Sequence, residues 1–123
     1  DALLRGVRSV LPAGTPVEVV AYGIGSFAEA RVPRVQLAVL LQLVEDLGPA
    51  VAATLAYDPV FSAVELEVLP TVGVVVIPTN ESAKRVAAVP TLFFMPHCGV
   101  QMYSNVLWAN FEHAGNVLIV GNR

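Results

Sequence analysis

A chain of 123 residues has room for one domain around one hydrophobic core. Hydrophobic residues make up 55% of it and charged residues 14%, which excludes a disordered chain and predicts a sheet covered on both faces or an apolar surface turned to a partner. The net charge of −3, with Lys84 and Arg85 as the one adjacent basic pair, argues against nucleic acid as a partner.

Leu3, Leu4, Val7, Val10 and Leu11 recur at helical spacing, so residues 2–11 read as a short helix, weakened by Gly6 and ended by Pro12, Gly14 and Pro16. Arg5 and Arg8 inside this first apolar stretch do not fit a secretory signal, and the start at Asp1 reads as a domain cut from a longer chain. Val17 to Tyr22 is an apolar, β-branched run that stops at Gly23-Ile24-Gly25, as a first parallel strand does on entering a glycine turn. Pro33 suits the first position of a helix that runs to Leu47 and is closed by Gly48, with Leu37, Leu40, Leu41 and Val44 as its buried stripe. The apolar run inside it, Val35 to Val44, is broken by Gln36 and Gln42 and falls well short of the roughly 18 residues of a membrane span, so no membrane partner is expected.

The second strand is Val51 to Tyr57, ending at Asp58-Pro59. Ser62 and Glu65 have capping-box spacing before a helix over residues 63–69, which Pro70 and Gly73 end. Val74 to Ile77 reads as a third strand, residues 80–86 as a short helix, and Thr91 to Met95 as a fourth strand stopped by Pro96-His97-Cys98-Gly99. Val100, Tyr103, Leu107 and Phe111 predict a helix of about three turns, and Asn116 to Val120 a fifth strand before Gly121-Asn122-Arg123. Five apolar strands alternating with helices predict a three-layer α/β/α Rossmann-like sandwich, with a mainly parallel sheet in the order 3-2-1-4-5 and right-handed crossovers. In that order the chain reverses direction between strands 1 and 4, and the crevice there is the expected binding place.

The turns on the carboxyl edge then supply the candidate ligand-binding positions: Gly23, Gly25, Ser26, Asp58, His97, Cys98 and Asn122, with Tyr103 from the following helix. Gly23, Gly25 and Ala28 fit Gly-x-Gly-x-x-Ala, whose glycines let a pyrophosphate approach the backbone; a helix starting only at Pro33 weakens that cradle, and the same glycines serve a turn with positive φ. Asp58 stands where a ribose-binding acid often sits, but farther from the glycines than the usual roughly 20 residues, and Asp-Pro also initiates turns. His97 and Cys98 are candidate haem ligands, against a reading as an ordinary buried thiol beside a backbone-bonded histidine. Cys98 is the lone cysteine, which excludes an internal disulfide and a multi-cysteine zinc site and fits a reducing compartment, cytoplasm or nucleus. His113 reads as a solvated residue late in the last helix, Trp108 as core, and Asn105 and Asn110 as shared between core and crevice.

GIGSF, YDPVF, ELEVLPTVGV, the Asn-Glu and Lys of NESAK, PTLFFMPHCG, MYSNVLWAN and the terminal IVGN together resemble the ordered motifs of the "sensitivity to red light reduced" family, from about Tyr22 to Asn122. Ser26 departs from the family's frequent Asn, and the chain stops where members usually continue. The resemblance implies a eukaryotic regulator, non-enzymatic, tied to light signalling and circadian rhythm, to microtubule stability or to haem biosynthesis, acting through a small ligand or a protein partner. It assigns no catalytic residue. The competing reading is a nucleotide-cofactor enzyme, or a degenerate one, resembling an S-adenosylmethionine-dependent methyltransferase. The strands such a sheet would add are missing.

Overall fold

The computed structural model describes residues 2–10 and 15–121. Its order is α1 (Ala2–Val10), β1 (Val17–Tyr22), α2 (Arg31–Leu47), β2 (Val51–Tyr57), α3 (Ala63–Thr71), β3 (Val75–Val76), β4 (Thr91–Met95), α4 (Val100–Ala109) and β5 (Val117–Gly121). All strand pairs are parallel and the sheet order is β3-β2-β1-β4-β5. The doubly wound sheet read from the alternation of apolar runs is therefore the observed one.

Alternate residues of β1 feed two cores. Val19 and Ala21 pack with Val7 of α1, Leu37, Leu40, Leu43 and Leu47 of α2, and Leu69 of α3. Val20 and Tyr22 pack on the opposite face with Phe93 and Met95 of β4, Val106 of α4 and Ala83 and Ala87 of the β3–β4 connection. That division follows from the period of two along a strand. It puts the β1–β2–β3 crossovers on one face and the β4–β5 crossover on the other, so the chain reverses at β1 and β4.

Several local expectations are corrected. Helix α2 begins at Arg31, two residues before Pro33, which sits in the first turn where its missing N–H has no intrahelical acceptor to lose. Its buried stripe is Gln36, Leu37, Leu40, Leu43 and Leu47, whereas Leu41 and Val44 lie only at its margin. Residues 80–86 form no helix: the Asn80 side chain accepts the Ser82 N–H at 2.9 Å, and Ser82 and Ala83 take left-handed φ of 52° and 57°. Helix α4 ends at Ala109 and buries Val106, leaving Val100, Leu107 and Phe111 exposed. Trp108 is 75% exposed, stacked on Phe111 rather than placed in the core. His113 lies in the 3-10 turn Phe111–Asn116 beyond α4 and is exposed.

Candidate functional site

Gly23 and Gly25, with φ of 74° and 87°, turn the chain away from the sheet at the end of β1. A β-carbon would meet the Cys98 Sγ at 2.9 Å from Gly23 and the Pro33 Cγ at 2.9 Å from Gly25. Both glycines are thus required by conformation and by close packing before any ligand is considered.

The polar groups of this turn are engaged within the chain. The Gly25 N–H donates to Asp58 Oδ2 at 2.9 Å, and Asp58 Oδ1 accepts the Val60 N–H at 2.9 Å. The Ala28 N–H and the Ser26 hydroxyl donate to Glu65 Oε2 at 2.8 and 2.9 Å. Glu65 Oε1 accepts the Ser62 N–H at 2.8 Å, while Ser62 Oγ accepts the Glu65 N–H, completing the capping box of α3. Burial opposes ionisation of Glu65, which is fully covered, but hydrogen bonds from Ser62, Ala28 and Ser26 outweigh it and hold the carboxyl below its ordinary value. Two carboxylates of the protein thus occupy the N–H groups of Gly25 and Ala28, which could otherwise donate to a phosphate. Glu65 is the residue that sequence reasoning missed here; its capping-box spacing accounted for one oxygen and gave no sign of the other.

Cys98 lies half-buried behind the same turn, its thiol directed to the Tyr22 carbonyl at 3.4 Å. Burial, with the Asp58 charge adding to it, pushes the thiol up to about 11. It is a protonated thiol at neutral pH. His97 is exposed. The Tyr103 hydroxyl donates to the Met95 carbonyl, and its ring lies against Gly121, where a side chain would collide with it. Asn122 lies outside the described residues. Asn110, buried, accepts the Ala87 N–H and donates to the carbonyls of Arg85 and Val106, which makes it a clamp between α4 and the β3–β4 connection.

Next to the turn a crevice of about 310 Å3 opens on the carboxyl edge of the sheet. Tyr22 and Gly23 line it from β1, and Tyr57 and Pro59 from the end of β2. Asn80, Ser82 and Ala83 line it from the β3–β4 connection, with Met102 and Asn105 from α4. Of the seven candidate positions among the described residues, Gly23 alone reaches this lining, and the residues facing the space come largely from motifs assigned to other roles. Asn105 holds the left-handed Ser82 by donating to its carbonyl at 2.8 Å. Two consecutive non-glycine residues in that conformation cost about 1–3 kcal/mol each, a kind of strain that collects at binding sites. Below the crevice the Tyr22 hydroxyl donates to Glu81 at 3.1 Å, and Arg85 pairs with the same carboxylate at 2.8 Å. Burial and the neighbouring Glu81 raise the Tyr22 phenol far above its usual range, so it remains a donor.

Fold and site define a doubly wound, Rossmann-like α/β domain whose glycine turn is closed by its own acids. Residues 5–123 match the model of the SRR1 domain. The chain is 43% identical over 109 residues to an SRR1-like protein of Mus musculus, covering 86% of this chain and 44% of that protein. It is 38% identical over 118 residues to Protein SENSITIVITY TO RED LIGHT REDUCED 1 of Arabidopsis thaliana, covering 94% and 43%, and 29% identical over 121 residues to an SRR1-like protein of Drosophila melanogaster, covering 97% and 41%. The chain belongs to the SRR1 domain family. It spans less than half the length of these relatives. No solved structure matches it.

Proposed function

We propose that the chain is a regulatory, non-enzymatic domain that works by binding, with the crevice beside the glycine turn as its binding site. The observation that carries this reading is the engagement of Gly25 and Ala28 by Asp58 and Glu65. A cofactor held by its phosphates needs those donors, and S-adenosylmethionine, which has no phosphate, needs a free ribose-binding acid, whereas both Asp58 oxygens already accept from Gly25 and Val60. The polar groups nearby are spent on packing rather than assembled into an acid–base pair: Cys98 faces a carbonyl, and Tyr103 is bonded to the backbone. One relative is named for reduced sensitivity to red light, and through the family resemblance the processes regulated are light signalling and circadian rhythm, microtubule stability or haem biosynthesis.

Calorimetric titration with NAD, ATP and S-adenosylmethionine tests the reading. No saturable binding at micromolar concentration is the expected result. Micromolar binding of any of them, weakened by Asp58→Asn in a variant that circular dichroism shows to be folded, would instead establish the cofactor-dependent enzyme. A link to haem biosynthesis would not run through iron ligation by Cys98; haem added to the wild type and to Cys98→Ser should give the same Soret spectrum, and a shift confined to the wild type would contradict this.

A further inference from the structure

We infer that the crevice takes an uncharged heterocycle of nucleobase or free-nucleoside size and discriminates against the phosphorylated forms of the same molecule. This rests on the reading of the crevice as the binding site and narrows what that site accepts.

The first argument is size and lining. A space of about 310 Å3 lies at the lower end of small-molecule sites. The half-buried Tyr57 ring, Pro59 and Met102 supply apolar surfaces of the kind on which a flat ring system packs. The polar groups offered are neutral. Asn80 uses its side-chain oxygen on the Ser82 N–H, which leaves its amide N–H2 to donate, and the exposed Ser82 hydroxyl stands beside it. A ring nitrogen or carbonyl is the complementary acceptor.

The second argument is charge. Among the described residues no charged side chain lines the space. Asp58 sits between the lining residues Tyr57 and Pro59, and Glu81 between Asn80 and Ser82. Of the two cations in this connection, Arg85 is committed to Glu81 by two contacts of 2.8 and 3.0 Å, and Lys84, though it follows Ala83, does not reach the lining. With the Gly25 and Ala28 N–H groups already taken by Asp58 and Glu65, a phosphate at the crevice would meet the carboxylates of Asp58 and Glu81 without those two donors of the glycine turn. Ordinary nucleotide sites gain affinity from phosphate; this one loses it.

The test is a titration of the whole chain with adenosine, guanosine, uridine and the corresponding monophosphates, followed by ligand-observed NMR and calorimetry. At least one nucleoside should bind saturably, and its monophosphate at least about tenfold more weakly, since like charges brought together are penalised. Ser82→Ala, which removes the exposed hydroxyl and leaves the Asn80 bond to the Ser82 N–H in place, should weaken the nucleoside about fivefold, the loss of one hydrogen bond, with the melting temperature little changed. Trp108→Ala, away from the crevice, should leave affinity as it is. A monophosphate that binds as well as its nucleoside overturns the inference, as does the failure of all three nucleosides to bind at millimolar concentration. Such a failure leaves the regulatory reading standing, because only micromolar, Asp58-dependent cofactor binding overturns that.

Discussion

Glu65 is the residue on which the glycine turn depends. It is fully buried and its two oxygens accept from Ser26, Ala28 and Ser62. Glu65→Ala would leave buried donors without partners, and a loss of about 3–5 kcal/mol in urea unfolding is predicted. Because the folded state holds this carboxyl below its ordinary value of 4.5, its stabilisation is fully present above that pH and is lost as pH falls through the folded value. Unfolding free energies of wild type and Glu65→Gln should therefore differ most at neutral pH and converge under acid conditions; a constant difference would contradict the assignment. Cys98 carries the opposite shift. With its thiol moved from 9.0 to about 11, alkylation by iodoacetamide at pH 8 should be about a hundredfold slower than for an unperturbed cysteine, from the thiolate fraction alone. Labelling at the ordinary rate would show an ionised or mobile thiol.

At the scale of elements, the capping box of α3 and the closure of the glycine turn share one side chain. The two roles separate experimentally. Ser62→Ala removes the cap bond to the Glu65 N–H and should cost about 1 kcal/mol, well below the cost of Glu65→Ala; equal losses would mean that Glu65 serves only as a cap. Strands β1, β2 and β4 were legible because buried parallel strands read as continuous apolar runs, and the capping box because it is a contact three residues long. The Glu65 bond to Ala28 spans 37 positions, and nothing in local spacing announces such a contact. The connection through Asn80 shows a different failure. Its residue types allow a helical turn, but the Asn80 side chain competes for the Ser82 N–H and the backbone follows it. At α4 the apolar spacing through Val100, Leu107 and Phe111 is genuine, yet Val106 enters the core instead, and Asn110 just beyond the helix bonds the β3–β4 connection.

For the whole molecule, the sheet order follows from the alternation of strands and helices, and with it the location of the crevice at the carboxyl edge. The occupants of that edge did not follow. The turns after strands 1, 2, 4 and 5 supply the expected positions, whereas Tyr57, Asn80, Ser82 and Met102 line the space, brought there by tertiary packing. The exposed Trp108 and Phe111 stack, with ring centroids 6.1 Å apart, lies outside both cores. Trp108→Ala should change stability by less than about 1 kcal/mol; a loss on the scale of a core aromatic, about 3–5 kcal/mol, would show that the ring is buried. The central claim is that the protein's own acids close the phosphate donors of the glycine turn. The most direct measurement follows the backbone amides of Gly25 and Ala28 by 15N–1H correlation NMR during titration with ATP and NAD. Both amides should stay in place at neutral pH, with Ala28 moving when acid protonates Glu65; saturable shifts of Gly25 and Ala28 on addition of either nucleotide would contradict the account.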